Sequence, residues 1–317
     1  MTAKIIYIGS VEADAYAFEQ RLANDVPGVD LYVTNDRTEA LPHLQFAEAI
    51  IAHHFQFDAA LLQTASRLRW IQSLTTGTDG IIRLPELRPE VIVTSTRGMH
   101  GPQMSELVFL QMLALSRRFA SIQRNQQERR WERWPQPLLL GKTIVIVGVG
   151  KIAEALALRC ACFGMKVLGV SQSPRLPPGF AAVYPRDELA ATAAMSDFLV
   201  LLVPYSSETE SLIDARIIGA MKSSAFLINV ARGGVLDESA LLQSLRGRGI
   251  AGAALDVFRE TPLPPDDPLW ADERIIITPM LGGMSDIYLD QAYPIVRDNL
   301  KHFLAGDTAS MQNVVAH

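Results

Sequence analysis

Apolar residues along this chain fall into short β-branched runs separated by amphipathic stretches. The runs at 4–9, 29–33, 49–52, 68–74 and 91–94 are strand-length, while 12–23 and 58–65 carry helical spacing. Such short, continuous apolar runs suit strands buried on both faces. Strands alternating with helices predict a parallel sheet covered on both sides, so residues 1–97 read as one α/β domain. From Gly101 and Pro102 the period changes. Met104, Leu107, Val108, Met112, Leu113 and Leu115 recur at helical intervals and predict one long helix to about residue 127. A polar, aromatic arm follows, Arg129-Arg130-Trp131-Glu132-Arg133-Trp134-Pro135. Tryptophan beside arginine suits either a subunit interface or packing onto the same chain. Further strand patterns lie at 143–147, 165–170, 198–203, 225–229, 252–255 and 274–278. Helical patterns include 151–162, 239–246 and 285–304.

The stretch 143–175 organises the second half. Gly148-Val149-Gly150 follows the first strand directly, and Ala153 stands where a third glycine often sits. Strand, glycine turn, helix and strand within about 30 residues is the setting that ties G-x-G-x-x-G/A to a dinucleotide. Gly148 permits the tight turn, Gly150 admits a pyrophosphate, and the helix N-terminus offers N–H groups and a positive dipole end. The alternative is a plain βαβ unit whose glycines serve only the turn. NAD-binding chains usually carry Asp or Glu after the second strand to bond the ribose 2′-hydroxyl. Here the residues are Ser171, Gln172, Ser173 and Arg175. No acid in that run repels a 2′-phosphate, and Ser171, Ser173 and Arg175 can bond one, so NADP(H) is favoured with NAD(H) as the alternative.

Composition narrows the class. The 317 residues suffice for two domains, and the net charge of −5 argues against nucleic acid or anionic membrane as a partner. No apolar run is long enough to span a bilayer, and residues 1–6 lack a signal-peptide pattern. Cys160 and Cys162 lie two apart on one helical pattern, which disfavours a shared disulfide or metal site and suggests buried reduced thiols. A cytoplasmic protein without a metal is the expectation.

Several landmarks occur in order along nearly the whole chain. They are Ile-Gln-Ser-Leu-Thr-Thr-Gly-Thr-Asp at 71–79, Arg-Gly-Met-His-Gly-Pro-Gln-Met-Ser-Glu at 97–106, and the glycine turn. Then come Asn-Val-Ala-Arg-Gly-Gly at 229–234, Leu-Asp-Val-Phe at 255–258 leading to Pro262-Leu263-Pro264, and Thr278-Pro279. Together they resemble the D-isomer-specific 2-hydroxyacid dehydrogenase family, in particular its glyoxylate/hydroxypyruvate reductase branch. The resemblance implies an α/β chain of two Rossmann-like domains with parallel sheets. The substrate domain, 1–97 and 286–317, would be discontinuous around a dinucleotide-binding domain, 98–285. It also implies an active site in the cleft between domains, a homodimer formed through the cofactor domains, and NAD(P)-dependent reduction of a small 2-keto acid. Arg232 matches the arginine that holds the substrate carboxylate and polarises the ketone, a task suited to a permanently charged, bidentate group. Thr76 and Gly77 match the loop that offers N–H groups to that carboxylate. The cofactor candidates are Gly148, Gly150, Lys151, Ile152, Ser171, Ser173, Arg175, Pro204, Thr209, Val230 and Asp256. Asp256 matches a residue near the nicotinamide carboxamide; a turn cap is its alternative role.

Two positions depart from the family pattern. Its proton donor is a histidine in Thr-Pro-His, supported by a glutamate before the proline of Asp-Val-Phe-x-x-Glu-Pro. Here those positions are Met280 and Thr261, with Glu260 one place earlier. Methionine has no exchangeable proton, and threonine carries no charge to stabilise an imidazolium. His100, at the hinge before the long helix, is the first substitute donor. His53 and His54 after a strand end, Tyr288 and bound water are others. Loss of a positioned acid predicts slower turnover, since such help is worth roughly 10²–10⁴-fold. The alternatives are a dinucleotide-binding regulator without efficient turnover, or altered chemistry on the same carboxylate clamp.

Overall fold

The computed structural model describes residues 3–9, 12–173 and 175–316; Met1 and Thr2 of the N-terminal reading lie outside them. The chain has an α/β fold and divides into two compact units, Met1–Met99 with Ser285–His317, and His100–Met284.

In the first unit, strands β1 (Lys4–Ile8), β2 (Asp30–Thr34), β3 (Ala49–Ala52), β4 (Trp70–Ser73) and β5 (Ile92–Ser95) form a parallel sheet. Their connections carry α1 (Glu12–Asp25), α2 (Arg37–Leu44), α3 (Ala59–Thr64) and α4 (Asp79–Ile82). The chain later returns as α11 (Tyr288–Ala305) and β13 (Val314–Val315). Side-chain alternation divides the core. Ile5, Tyr7 and Trp70 pack with Phe18, Val296, Leu300 and Phe303 from α1 and α11, while Ile6, Ile8 and Ile71 pack with Leu44 and Leu61 from α2 and α3. Asp36 and Asp58 cap α2 and α3 by accepting from Thr38 and Leu61 N–H groups. The strand order is β13-β5-β4-β3-β1-β2, and β13 pairs antiparallel with β5. The expected parallel sheet of residues 1–97 is thus present, and the returning chain adds one antiparallel edge strand, too short at two residues to be read from sequence.

The second unit opens with α5 (Gly101–Ser116) and α6 (Phe119–Gln127). Its sheet comprises β6 (Thr143–Val147), β7 (Lys166–Val170), β8 (Ala182–Tyr184), β9 (Phe198–Leu201), β10 (Phe226–Asn229), β11 (Gly252–Leu255) and β12 (Ile275–Ile277). All seven run parallel, in the order β12-β11-β10-β9-β6-β7-β8. α5 and α7 (Lys151–Cys162) cover one face. α8 (Leu189–Ala193), α9 (Ala215–Ala220) and α10 (Glu238–Arg246) cover the other. The order reverses between β6 and β9, where ligands of such sheets bind beyond the strands' carboxyl ends.

The predicted helix to residue 127 is in fact two. Arg118 adopts a left-handed conformation, φ 55, which ends the ladder of α5 before α6 begins. Its guanidinium lies 5.1 Å from the Trp134 ring centroid, a tertiary contact with no local signature. The two thiols also part company. Cys160 packs in the core and burial pushes its pKa up to about 12, but Cys162 is exposed, contrary to the expectation of two buried thiols. Two residues along a helix turn about 200°, so one face cannot hold both. Among the described residues no helix is long and apolar enough to cross a membrane.

Candidate active site

The glycine turn is tightly packed at one residue and open at another. Gly148 sits at φ +102, and a Cβ there would lie 2.8 Å from the backbone of Leu202 and Val203. Gly150 is the opposite case. A Cβ on it would meet nothing within 4 Å, so the backbone is open to an approaching group. Gly150 caps α7 without a side-chain hydrogen bond, leaving the helix N-terminus for a phosphate. Ala153 is fully buried and lets α7 pack against the sheet, with Ile152 partly buried beside it. Lys151 pairs with Glu154 at 3.1 Å, and Arg175 donates to Glu154 and to Val149 O. Ser171 Oγ accepts from Ser173 N–H at 3.2 Å. Thr209 is buried, and its hydroxyl donates to Pro204 O at 2.8 Å while accepting from Ser206 N–H at 2.7 Å. It therefore shapes the 204–209 loop. Val230 is buried at the end of β10.

Three neighbouring strands carry the next group. Arg232 follows β10, Asp256 follows β11, and Thr278 to Met280 follow β12. A Cβ on Gly233 would fall 1.9 Å from the Phe258 carbonyl carbon, so glycine is needed for the β10 and β11 ends to meet. Asn229 is fully buried and holds the Arg232 loop from both sides, donating to Arg232 O and accepting from Ala231 N–H, each at 3.1 Å. Arg232 Nη1 donates to Ala231 O at 2.7 Å. The Asp256 carboxylate accepts from Thr278 Oγ1 at 2.5 Å and from the N–H groups of Leu281 and Gly282, each at 2.9 Å. Asp256 is therefore a turn cap here. Burial pushes its pKa upward while these three donors oppose that shift. The turn it holds carries Met280 at φ 57, a left-handed conformation uncommon for methionine, with the residue 45% exposed. His100 is 5% exposed at the N-cap of α5. The same turn approaches it: the ring's Cδ2 lies 3.9 Å from where Gly283 would carry a Cβ.

In the first unit, residues 74–77 follow β4 and are supported from β3 and α11. His54 Nδ1 lies 3.0 Å from Thr75 Oγ1, which donates to Gly77 O at 2.8 Å and lies 2.9 Å from Ser73 Oγ. The Tyr288 hydroxyl donates to Leu74 O, and its ring stacks on His53 at 5.8 Å. The backbone carrying Thr76 and Gly77 is thus held at three points.

Residues 109–282 match the family model described as "D-isomer specific 2-hydroxyacid dehydrogenase, NAD binding domain". The chain belongs to the D-isomer-specific 2-hydroxyacid dehydrogenase family. A glyoxylate reductase from Korarchaeum cryptofilum is 32% identical over 259 residues, 79% of this chain and 77% of that protein. A solved structure of a family protein from Aeromonas salmonicida aligns with a TM-score of 0.91 at 32% identity, covering 99% of each chain. An NADPH-dependent glyoxylate/hydroxypyruvate reductase from Sinorhizobium meliloti, solved with NADP and sulfate, aligns at 0.87 and 25% identity, covering 99% of this chain and 98% of that one.

For a member of this family the surroundings of the substitute donors matter. Burial, with repulsion from His54, pushes the His53 pKa down to about 4, so its imidazole is neutral near pH 7 and has no surplus proton. Burial raises the Tyr288 pKa, and its proton is engaged on Leu74 O. Among the described residues no group of three His, Cys, Asp or Glu side chains could hold a metal ion. Two residues near the candidates escaped the sequence reading. Glu154 had a signal in its helical spacing from Lys151, but Glu208, which accepts from Gln172 Nε2 at 2.7 Å, is distant in sequence and had none.

His53 gives a test of stability against pH. Its folded pKa lies below the ordinary 6.5, so its neutral form favours the fold fully above pH 6.5, and that contribution is lost as pH falls toward 4. Between about pH 7 and about pH 4.5 this costs about 2 kcal/mol, discounted for partial exposure. Urea titrations at both pH values should show His53→Phe losing less stability than wild type by that amount. Equal losses would remove His53 as the cause.

Proposed function

We propose that this chain is an NAD(P)-dependent oxidoreductase that reduces a small 2-keto acid of the glyoxylate or hydroxypyruvate kind, with weak or atypical proton donation. The observation that carries the reading is the gathering of Arg232, Asp256 and the Met280 turn at the carboxyl ends of three adjacent strands, in the unit that holds the glycine turn. Residues 98–285 serve as the dinucleotide-binding domain, and residues 1–97 with 286–317 as the substrate domain. Gly148, Gly150 and the α7 N-terminus hold the pyrophosphate, with NADP(H) favoured by Ser171, Ser173 and Arg175. When bound, the nicotinamide supplies a hydride. Arg232 pairs with the substrate carboxylate and draws charge toward the ketone oxygen, and the N–H groups at Thr76 and Gly77 bond the carboxylate. His100 donates the proton that the developing alkoxide needs. Asp256 acts through the turn it caps.

Absence of an acid at Met280 and Thr261 favours a second reading, a dinucleotide-binding regulator without efficient turnover or an enzyme of altered chemistry on the same clamp. Incubation with NADPH or NADH and glyoxylate, hydroxypyruvate, pyruvate or phenylpyruvate, followed by absorbance, separates them. Turnover above roughly 1 s⁻¹ supports the reductase. Cofactor binding without turnover of any of these acids sinks it. We also propose a cytoplasmic homodimer joined through the cofactor domains. Trp131, 92% exposed on the arm after α6, supports that interface.

A further inference from the structure

Two carboxylates stand beside the end of β7. Glu154 is met by two cations, Lys151 and Arg175, and its side chain is 20% exposed. Glu208 is less compensated. It accepts from the neutral Gln172 amide at 2.7 Å, meets Arg186 only at 3.5 Å, and is 68% exposed. Its loop is anchored by the buried Thr209 hydroxyl. Arg186 is brought there by β8, because Ser171 N–H donates to Tyr184 O at 3.0 Å and holds the ends of β7 and β8 together. Gln172 lies two residues past β7, where dinucleotide-binding units present the group that meets the adenosine ribose. An amide accepts either a hydroxyl or a phosphate as partner. A carboxylate bonded to that amide does not: it can accept from a 2′-hydroxyl and it repels a 2′-phosphate.

We infer that Glu208 is a specificity-determining residue for the cofactor, limiting the preference for NADPH that Ser171, Ser173 and Arg175 create. The ribose-reading acid missing from the end of β7 is supplied by the loop after β9. Arg186 and Gln172 are the donors it withholds from a phosphate. This rests on the reading of residues 148–175 as the dinucleotide site.

The test is calorimetric titration of the full chain with NADPH and with NADH, so that no turnover is needed. In Glu208→Gln the Kd for NADPH should fall about tenfold, the scale of one removed charge facing a phosphate dianion. The Kd for NADH should change by less than about threefold. Adding Arg186→Met to Glu208→Gln should return the NADPH Kd to the wild-type value or weaker. An unchanged NADPH Kd in Glu208→Gln, or equal changes for both nucleotides, overturns the assignment of Glu208. Failure of wild type to bind either nucleotide is a different result, which removes the dinucleotide reading itself.

Discussion

Replacement of Arg232 by alanine should lower kcat/KM for 2-keto acids by about 10³-fold while leaving the NADPH Kd within about twofold. The loss is large because the guanidinium is assigned two tasks, pairing with the carboxylate and stabilising charge on the ketone oxygen. The cofactor should be nearly indifferent because the loop keeps its backbone supports when the guanidinium bond to Ala231 O is lost. Asn229 holds the backbone at Ala231 and Arg232, and Gly233 packs against Phe258 without help from the guanidinium. Arg232→Lys should recover only part of the activity, since a point charge lacks the planar fork. Steady-state kinetics with a parallel binding titration decides the matter. Loss of nucleotide binding together with activity would assign Arg232 to the fold.

The double variant Met280→His with Thr261→Glu should raise kcat by about 10²-fold or more. Histidine supplies the missing proton, and glutamate stabilises the imidazolium that carries it. The backbone favours the exchange. Met280 sits at φ 57, a region where histidine is more common than most residues. The Asp256 carboxylate holds the turn through Thr278, Leu281 and Gly282, none of which is altered. Thr261 is exposed, so glutamate meets no steric barrier there. A bell-shaped pH profile appearing in the variant would mark the new acid. An unchanged rate and profile would mean that proton donation at this position does not limit the enzyme.

How far the site was legible depended on distance along the chain. The glycine turn lies within one strand, turn and helix unit, so Gly148 and Gly150 could be proposed from that local context. Arg232 and Asp256 were legible as members of motifs, but not the contact that joins their loops. That contact is the approach of Gly233 to the Phe258 backbone, which no pattern within either motif encodes. His53, His54 and Tyr288 entered as proton donors because each side chain can carry a proton. The structure shows His54 and Tyr288 bonded within the 73–77 region, and His53 half-buried against Tyr288 with its pKa pushed down to about 4.

The order of short apolar runs, amphipathic helices and glycine turns was enough for the α/β class, because strand and helix periods are local properties of a chain. The same locality disclosed the motifs by which the chain resembles its family, and it drew attention to Met280 and Thr261. Tertiary structure decided what depends on partners distant in sequence. It broke the predicted long helix at Arg118, closed the Asp256 carboxylate onto the Met280 turn, and set Glu208 beside Gln172. These are contacts across strand ends, where burial and charge are fixed by neighbours that sequence spacing does not identify.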